Sequence, residues 1–429
     1  MNAGPEREAA APIRIAFVIN SLETGGAERQ LALTVTRIDR TRFEPVVVTL
    51  FRAGAFRREV ERAGVDVVDL ALPKHLWRAL RALPAALRRL KPDIVHTAMF
   101  EANVAGRLAA RRLGVPAVSH ATNTYDSPLR FAETPVPGWK LRLAGSLERW
   151  SARRSHVVIV AVGDEVARSA RRYLRLPASR VIVIRRGFDF AALEAAAREE
   201  LQAPAWPDGS YPRLLAVGRL APQKGQRYLL EALPAIIERH PAAHLVIAGS
   251  GPLETALRER AARLGVAGAV TLAGIRRDVP ALLARADAFV LPSLWEGGAG
   301  ALVEAMGLGV PVAATDDPAL REIAGDATER FPPKDPHAIA AAVGRIVADP
   351  DAAGRRAEDA VARVRDLHDI GRNTRALEAV YDRVIGLGFK QQGYRGAEAP
   401  TPPSRPPPGR RRGPLPPPGA SDGGPMPDR

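Results

Sequence analysis

Short apolar runs recur along this 429-residue chain, each followed by a stretch of helical periodicity, and the alternation starts over once near the middle. Runs at 13–19, 45–50, 65–70, 93–96, 116–119, 157–160 and 181–184 are near-continuous in apolar residues. Strands covered on both faces read that way, whereas strands with one wet face alternate. Such strands joined by helices form a parallel sheet wound on both sides. Residues 191–212 read as a helix and a proline-bearing linker that ends QAPAWPDGSYP. The pattern then resumes with runs at 214–217, 245–248, 269–272, 288–291 and 310–314, two helical patterns, and a last helix over roughly 371–385. The expected fold is α/β, with two doubly wound Rossmann-like domains at 13–190 and 213–368 joined by the linker.

A hydrophobic fraction of 46% is ample for two cores. The chain has no cysteine, which excludes a disulfide framework, thiolate catalysis and cysteine-ligated zinc, and fits a reducing cytoplasm. The opening MNAGPEREAAAP lacks the apolar core of a secretory signal, and no apolar run is long enough to cross a bilayer. A cytoplasmic protein, soluble or peripheral on the inner face of the cytoplasmic membrane, is expected. The net charge of +15 calls for an anionic partner. Residues 389–429 are rich in proline, glycine and arginine and, like residues 1–12, read as disordered. Seven basic and three acidic residues in that tail hold only 4 of the 15 charges, so the folded part is itself basic.

Three segments carry chemistry. In LPSLWEGGAGALVEAMGLGVPVAATDDPALREI (291–323), a strand runs into a glycine loop and a helix start, with Glu296 in the loop and Glu304 eight residues later in the helix. Free amides at a helix N-terminus attract phosphate or sugar oxygens, and a carboxylate beside them accepts hydrogen bonds from hydroxyls. In LLAVGRLAPQKGQRYLLEAL, Arg219 follows a strand and a glycine, and Lys224 with Gly225 precedes a helix. Two cations and a helix start there suit a diphosphate leaving group without a metal ion. In GGAER, Gly25 and Gly26 head a helix directly after the first strand, where the backbone can approach a ligand closely. Taken singly, each has a plainer explanation: a solvated loop, a surface glutamate, a tight turn. GGAER is no dinucleotide fingerprint, because G-x-G-x-x-G is missing.

Together and in this order, the segments resemble the family-4 glycosyltransferases, retaining enzymes of the GT-B fold, in which two Rossmann-like domains face each other across a cleft. The resemblance spans roughly 13–385 and is densest in the second half; RRGFD (185–189), AGSGP (248–252) and LAGIRRDVP (272–280) agree with it. It implies an acceptor-side first domain, a nucleotide-sugar-binding second domain, and a last helix (369–388) crossing back to the first. It implies that Arg219 and Lys224 hold the diphosphate, Glu304 the ribose hydroxyls, and that Glu296 faces the donor sugar as a catalytic residue. Gly25, Gly26, Gly297 and Gly298 would line the donor, with Gly274 and Ile275 near the base. On the acceptor side the candidates are His120, Thr122 and Asn123. For His120, as for His96, a histidine hydrogen-bonded at a strand end is the competing explanation. The chain departs from the family at Gly298, where an aromatic usually follows Glu-Gly, and at Arg186, where asparagine is often found. A second glycine there costs about 0.5–1 kcal/mol in folding and leaves space beside the sugar.

The resemblance implies transfer of a sugar from a nucleotide-diphosphate sugar, as co-substrate, to a glycan or lipid-linked hydroxyl, with no metal and no other cofactor. The only D-x-D pattern, Asp349–Asp351, brackets a proline and reads as a turn. The rivals are a nucleotide-sugar epimerase on the same scaffold and a catalytically silent, membrane-docked binding protein. The stretches 74–91 and 137–154 set leucines and the tryptophans Trp139 and Trp150 among arginines, suiting an anionic membrane surface, although Pro84 is expected to interrupt any single helix in the first. An ordinary core-facing helix with a solvated side is the alternative. No nucleic-acid-binding motif is present, so no specific nucleic-acid partner is expected.

Overall fold

The computed structural model describes residues 11–386; the 389–429 tail and all but the last two residues of the 1–12 stretch lie outside them. Seven parallel strands form the first sheet: β1 (Ile13–Ser21), β2 (Phe43–Arg52), β3 (Asp66–Asp69), β4 (Ile94–Ala98), β5 (Ala117–Ala121), β6 (Val157–Ala161) and β7 (Val181–Val183). Their order is β3-β2-β1-β4-β5-β6-β7, so the winding reverses between β1 and β4. The second sheet holds β8 (Arg213–Val217), β9 (His244–Ala248), β10 (Val270–Gly274), β11 (Ala288–Leu291), β12 (Val312–Thr315) and β13 (Glu329–Phe331), ordered β10-β9-β8-β11-β12-β13 and again all parallel. Such reversal points open a crevice at the carboxyl ends of the strands, where ligands of open α/β sheets bind.

Each sheet is covered on both faces, which accounts for the continuous apolar runs. Leu229, Leu233, Ile339 and Val343 seal one face of the second sheet, and Leu282, Leu302, Met306 and Val364 the other. The helix Ile370–Gly386 leaves the second sheet and packs on the first: Leu377, Val380, Tyr381 and Val384 join Ile15, Phe17 and Phe43 in one core. Tyr381 and the buried His96 share a hydrogen bond of 2.6 Å between Oη and Nδ1, which accounts for His96 structurally.

Two local expectations need correction. Pro84 lies inside a single helix, Leu76–Leu90, whose buried face is Ala79, Leu83, Pro84 and Leu87. Packing of that stripe outweighs the lost amide and the ring clash that proline brings. Strand β13 is missing from the sequence-based expectation, since Glu329–Phe331 holds a single apolar residue and so makes no apolar run. Asp349 does mark a helix boundary: its side chain caps Pro350–Leu367 by accepting from the Ala352 amide.

Candidate active site

The carboxyl ends of the second sheet's strands lie side by side. The Gly249 amide donates to the Gly274 carbonyl at 2.7 Å, and a Cβ at Gly249 would sit 2.1 Å from the Gly218 carbonyl oxygen. Gly274 and the exposed Ile275 therefore border the same edge as Arg219. The Arg219 side chain is exposed and in no ion pair among the described residues. The turn Pro222–Lys224 docks onto the loop after β11: the Leu294 amide donates to the Gln223 carbonyl at 2.7 Å, and Gln223 Nε2 donates to the Trp295 carbonyl at 2.9 Å. Gly225 is left-handed (φ +62°), and a Cβ there would meet the Pro292 carbonyl oxygen at 2.0 Å, so glycine is required on both counts. This docking brings Lys224 Nζ into direct hydrogen-bonded contact with the Glu296 carboxylate, which is only 5% exposed.

Glu304, on the helix Gly300–Gly307, is 6% exposed and accepts from Arg29 Nη1 at 2.5 Å. Arg29 comes from the first-sheet side, on the helix Gly26–Val35, so this ion pair spans the cleft. Burial raises the Glu304 pKa and the Arg29 charge opposes that. Glu28, one residue earlier, is buried and also raised by burial; its carboxylate lies where a Cβ on Gly25 would be, 2.2 Å from Oε2. A second crossing is made by backbone: Asn123 pairs with Gly297 in an antiparallel bridge, and a Cβ at Gly297 would lie 2.2 Å from the Thr122 carbonyl oxygen. Thr122 and Asn123 are thereby set next to Glu296. Asp317, which caps Pro318–Ala324, is pushed up to about 6, by burial first and by the Glu296 charge among lesser causes.

This arrangement can be set against known proteins. Residues 24–192 match the model of Glycosyltransferase Family 4, and residues 211–349 match that of Glycosyl transferases group 1. Together the two glycosyltransferase matches take in strands of both sheets of the chain. The chain is 31% identical over 250 residues to the UDP-Gal:alpha-D-GlcNAc-diphosphoundecaprenol alpha-1,3-galactosyltransferase of Escherichia coli, covering 54% of this chain and 60% of that protein. It is 32% identical over 285 residues to a glycogen synthase of Mycobacterium tuberculosis, covering 64% of each. These alignments thus span under two thirds of the relatives' lengths. The crystal structure of Anabaena Alr3699/HepE in complex with UDP and glucose superposes with a TM-score of 0.72 at 21% identity, covering 86% of this chain and all of that one, and shares the GT-B fold.

Two adjoining cavities lie on the first-sheet side of the cleft. Gln30, Thr34, His120, Arg186 and Leu377 line both of them, and Thr122 lines one. His120 is held down to about 4 by burial and the neighbouring Arg186 charge, so it is neutral at pH 7, and its buried Nε2 has no hydrogen-bond partner among the described residues. Its ring lies 4.7 Å from that of His96. His120 therefore faces the cavity with a free ring nitrogen, whereas His96 is occupied by Tyr381. Among the described residues, no three His, Asp or Glu side chains gather as metal ligands would. Sequence reasoning assigns no role to Arg29, Glu28 or Arg186, although GGAER and RRGFD both stand out in it. The available signal is a charged residue within one turn of a glycine at a strand's carboxyl end.

Proposed function

We propose that this protein transfers a sugar, with retention, from a nucleoside-diphosphate sugar to a hydroxyl of a glycan or lipid-linked acceptor. The observation that carries the reading is Glu296, held by Lys224 at the meeting point of the second sheet's glycine loop and the first sheet's 122–123 loop. A donor lying along the carboxyl edge of β8–β11 would put its diphosphate by Arg219 and Lys224 and its ribose on Glu304, displacing Arg29. As the anomeric C–O bond to phosphate breaks, Lys224 and Arg219 offset the charge developing on the leaving oxygen. The acceptor hydroxyl forms the new C–O bond on the same face, and its proton passes to the departing phosphate oxygen. Glu296 orients the sugar and stabilises its developing positive charge. No metal ion is needed for these steps.

The acceptor is read as lying at an anionic membrane surface. On the helix Gly138–Arg154, Trp139, Leu143 and Trp150 fall within about 40° of one another at 100° per residue. They are 58%, 53% and 44% exposed, with Lys140, Arg142, Arg153 and Arg154 on either flank. The helix's one acid, Glu148, points the opposite way and is buried against Arg107. An outward face of tryptophan and cations without any acid complements anionic lipid. No described helix is long and apolar enough to cross a membrane.

The test begins with a screen of nucleotide sugars for thermal stabilisation, since ligands of the native state raise the melting point. The stabilising donor is then incubated with and without acceptor. Transfer supports the reading; epimerised donor in the absence of acceptor, or binding without transfer to any acceptor, refutes it. Sedimentation with anionic vesicles, weakened by salt and by W139A/W150A, supports the membrane site; equal binding to neutral vesicles counts against it.

A further inference from the structure

Arg186 stands apart from the other cations of the cleft. It follows β7, and its carbonyl accepts from His368 Nδ1 at 2.9 Å and Asn373 Nδ2 at 3.3 Å, both from the chain that crosses back from the second sheet. With its backbone held there, the side chain extends between the glycine loops of the two sheets. A Cβ on Gly26 would lie 2.9 Å from its Nη1, and a Cβ on Gly298 would lie 2.7 Å from its Nε and 2.9 Å from its Cδ. Neither glycine has a positive φ, so their backbones alone do not call for glycine. What they have in common is that a methyl group at either would strike this guanidinium.

The guanidinium is also unsatisfied. It donates no hydrogen bond among the described residues, and its Nε is buried without an acceptor. The two acids near it are engaged otherwise: Glu296 by Lys224, and Glu28 folded over Gly25, where burial favours its neutral form. Burial accordingly lowers the proton affinity of Arg186, with Glu296 and Glu28 opposing. Arg186 is half-buried as a whole, with Nε the atom shut off from solvent, and a partly desolvated charge without a partner is stabilised by an anion that supplies one. Arg186 faces both cavities, and a guanidinium takes an anionic oxygen from there better than any neutral group does.

We propose that Arg186 is an anion-binding residue of the cleft that grips an anionic oxygen of the donor, and that Gly26 and Gly298 are glycines because its guanidinium lies against them. The anion is a phosphate oxygen of the nucleoside diphosphate or a carboxylate on its sugar. This rests on the glycosyltransferase reading above and adds to it a first-sheet cation beyond Arg219 and Lys224.

Titration calorimetry on the full chain tests it, using UDP, GDP and ADP, the parent nucleosides, and the pair UDP-glucose and UDP-glucuronic acid. The variants are R186N, R186K, G298A and R186N/G298A. R186N is expected to weaken the bound nucleoside diphosphate about tenfold or more while leaving the nucleoside unchanged, and R186K to recover part of the loss. G298A alone should reproduce the loss by displacing the guanidinium, and adding it to R186N should do nothing further, because the effects are not additive at a shared contact. If plain diphosphates bind R186N normally and only the glucuronic acid conjugate is weakened, the anion is the sugar carboxylate. Unchanged binding of every ligand by R186N, a parallel loss of nucleoside and diphosphate, or additive losses in the double variant overturns the assignment. Wild-type protein that binds no nucleotide at all overturns the glycosyltransferase reading along with it, whereas wild-type binding with an indifferent R186N overturns only this one.

Discussion

Replacing Glu304 by glutamine separates what this carboxylate does for the fold from what it does for a ligand. Its only ion-pair partner among the described residues is Arg29, whose side chain is 47% exposed. A pair with one half in water contributes about 0–1 kcal/mol, and the glutamine side chain keeps the shape, so the ligand-free melting temperature should barely change. Binding is another matter. In the proposed role Glu304 accepts from the two ribose hydroxyls inside a site where it is 6% exposed. Hydrogen bonds to a charged group contribute about 1.5–3 kcal/mol each, and the amide retains one neutral acceptor. The expected loss is therefore about 2–3 kcal/mol, or roughly 30–150-fold in nucleotide affinity. Calorimetry with a nucleoside diphosphate and its 2′,3′-dideoxy analogue measures it. The preference of wild type for the ribose form should fall by that factor in E304Q, leaving the remainder that one neutral acceptor supports. A variant that discriminates as strongly as wild type removes Glu304 from the ribose, whatever its absolute affinity.

E296Q should cut turnover by a large factor while nucleotide binding, read by thermal shift, is kept; unchanged turnover dismisses Glu296 from the chemistry. In the core, Arg107 is fully buried and lies 3.7 Å from Glu148, which also accepts from Tyr125 Oη at 3.3 Å. Glu148→Ala strands that guanidinium and should cost about 3–5 kcal/mol in urea unfolding, with R107M/E148M recovering most of it. His120 and His368 are both held down to about 4 by burial. The unfolded chain thus takes up protons that the native state refuses, so their contribution is intact above pH 6.5 and is lost as pH falls toward 4. Asp317, raised to about 6, acts in the opposite sense between pH 6 and 4. Urea midpoints across this range should decline with acid, and less steeply in H120Q; an unchanged slope refutes the neutral, buried assignment.

Much of the architecture is legible in the sequence because its cause is local. A strand such as β11 is buried on both faces and so is apolar throughout, and its apolar run marks it at 288–291, where it lies. Elements whose existence depends on neighbours are not legible. Helix Leu76–Leu90 carries a proline that no periodicity argument admits, and only its buried stripe explains why it continues. Strand β13 exists because β12 offers it an edge.

The same division runs through the site. Sequence alone determined the motifs, since a glycine between strand and helix, or a carboxylate a fixed number of residues further on, is set by bonded geometry. It determined nothing about who meets whom across the cleft. Arg29 and Glu304 are 275 residues apart, and Asn123 finds Gly297 only when the two sheets face each other. Arg186 is the clearest instance: along the chain it is one arginine among many, and only the packed structure wedges it between two glycines without an acceptor. The physical reason is that burial and pairing are properties of the space around a side chain, which the fold creates and local sequence does not encode.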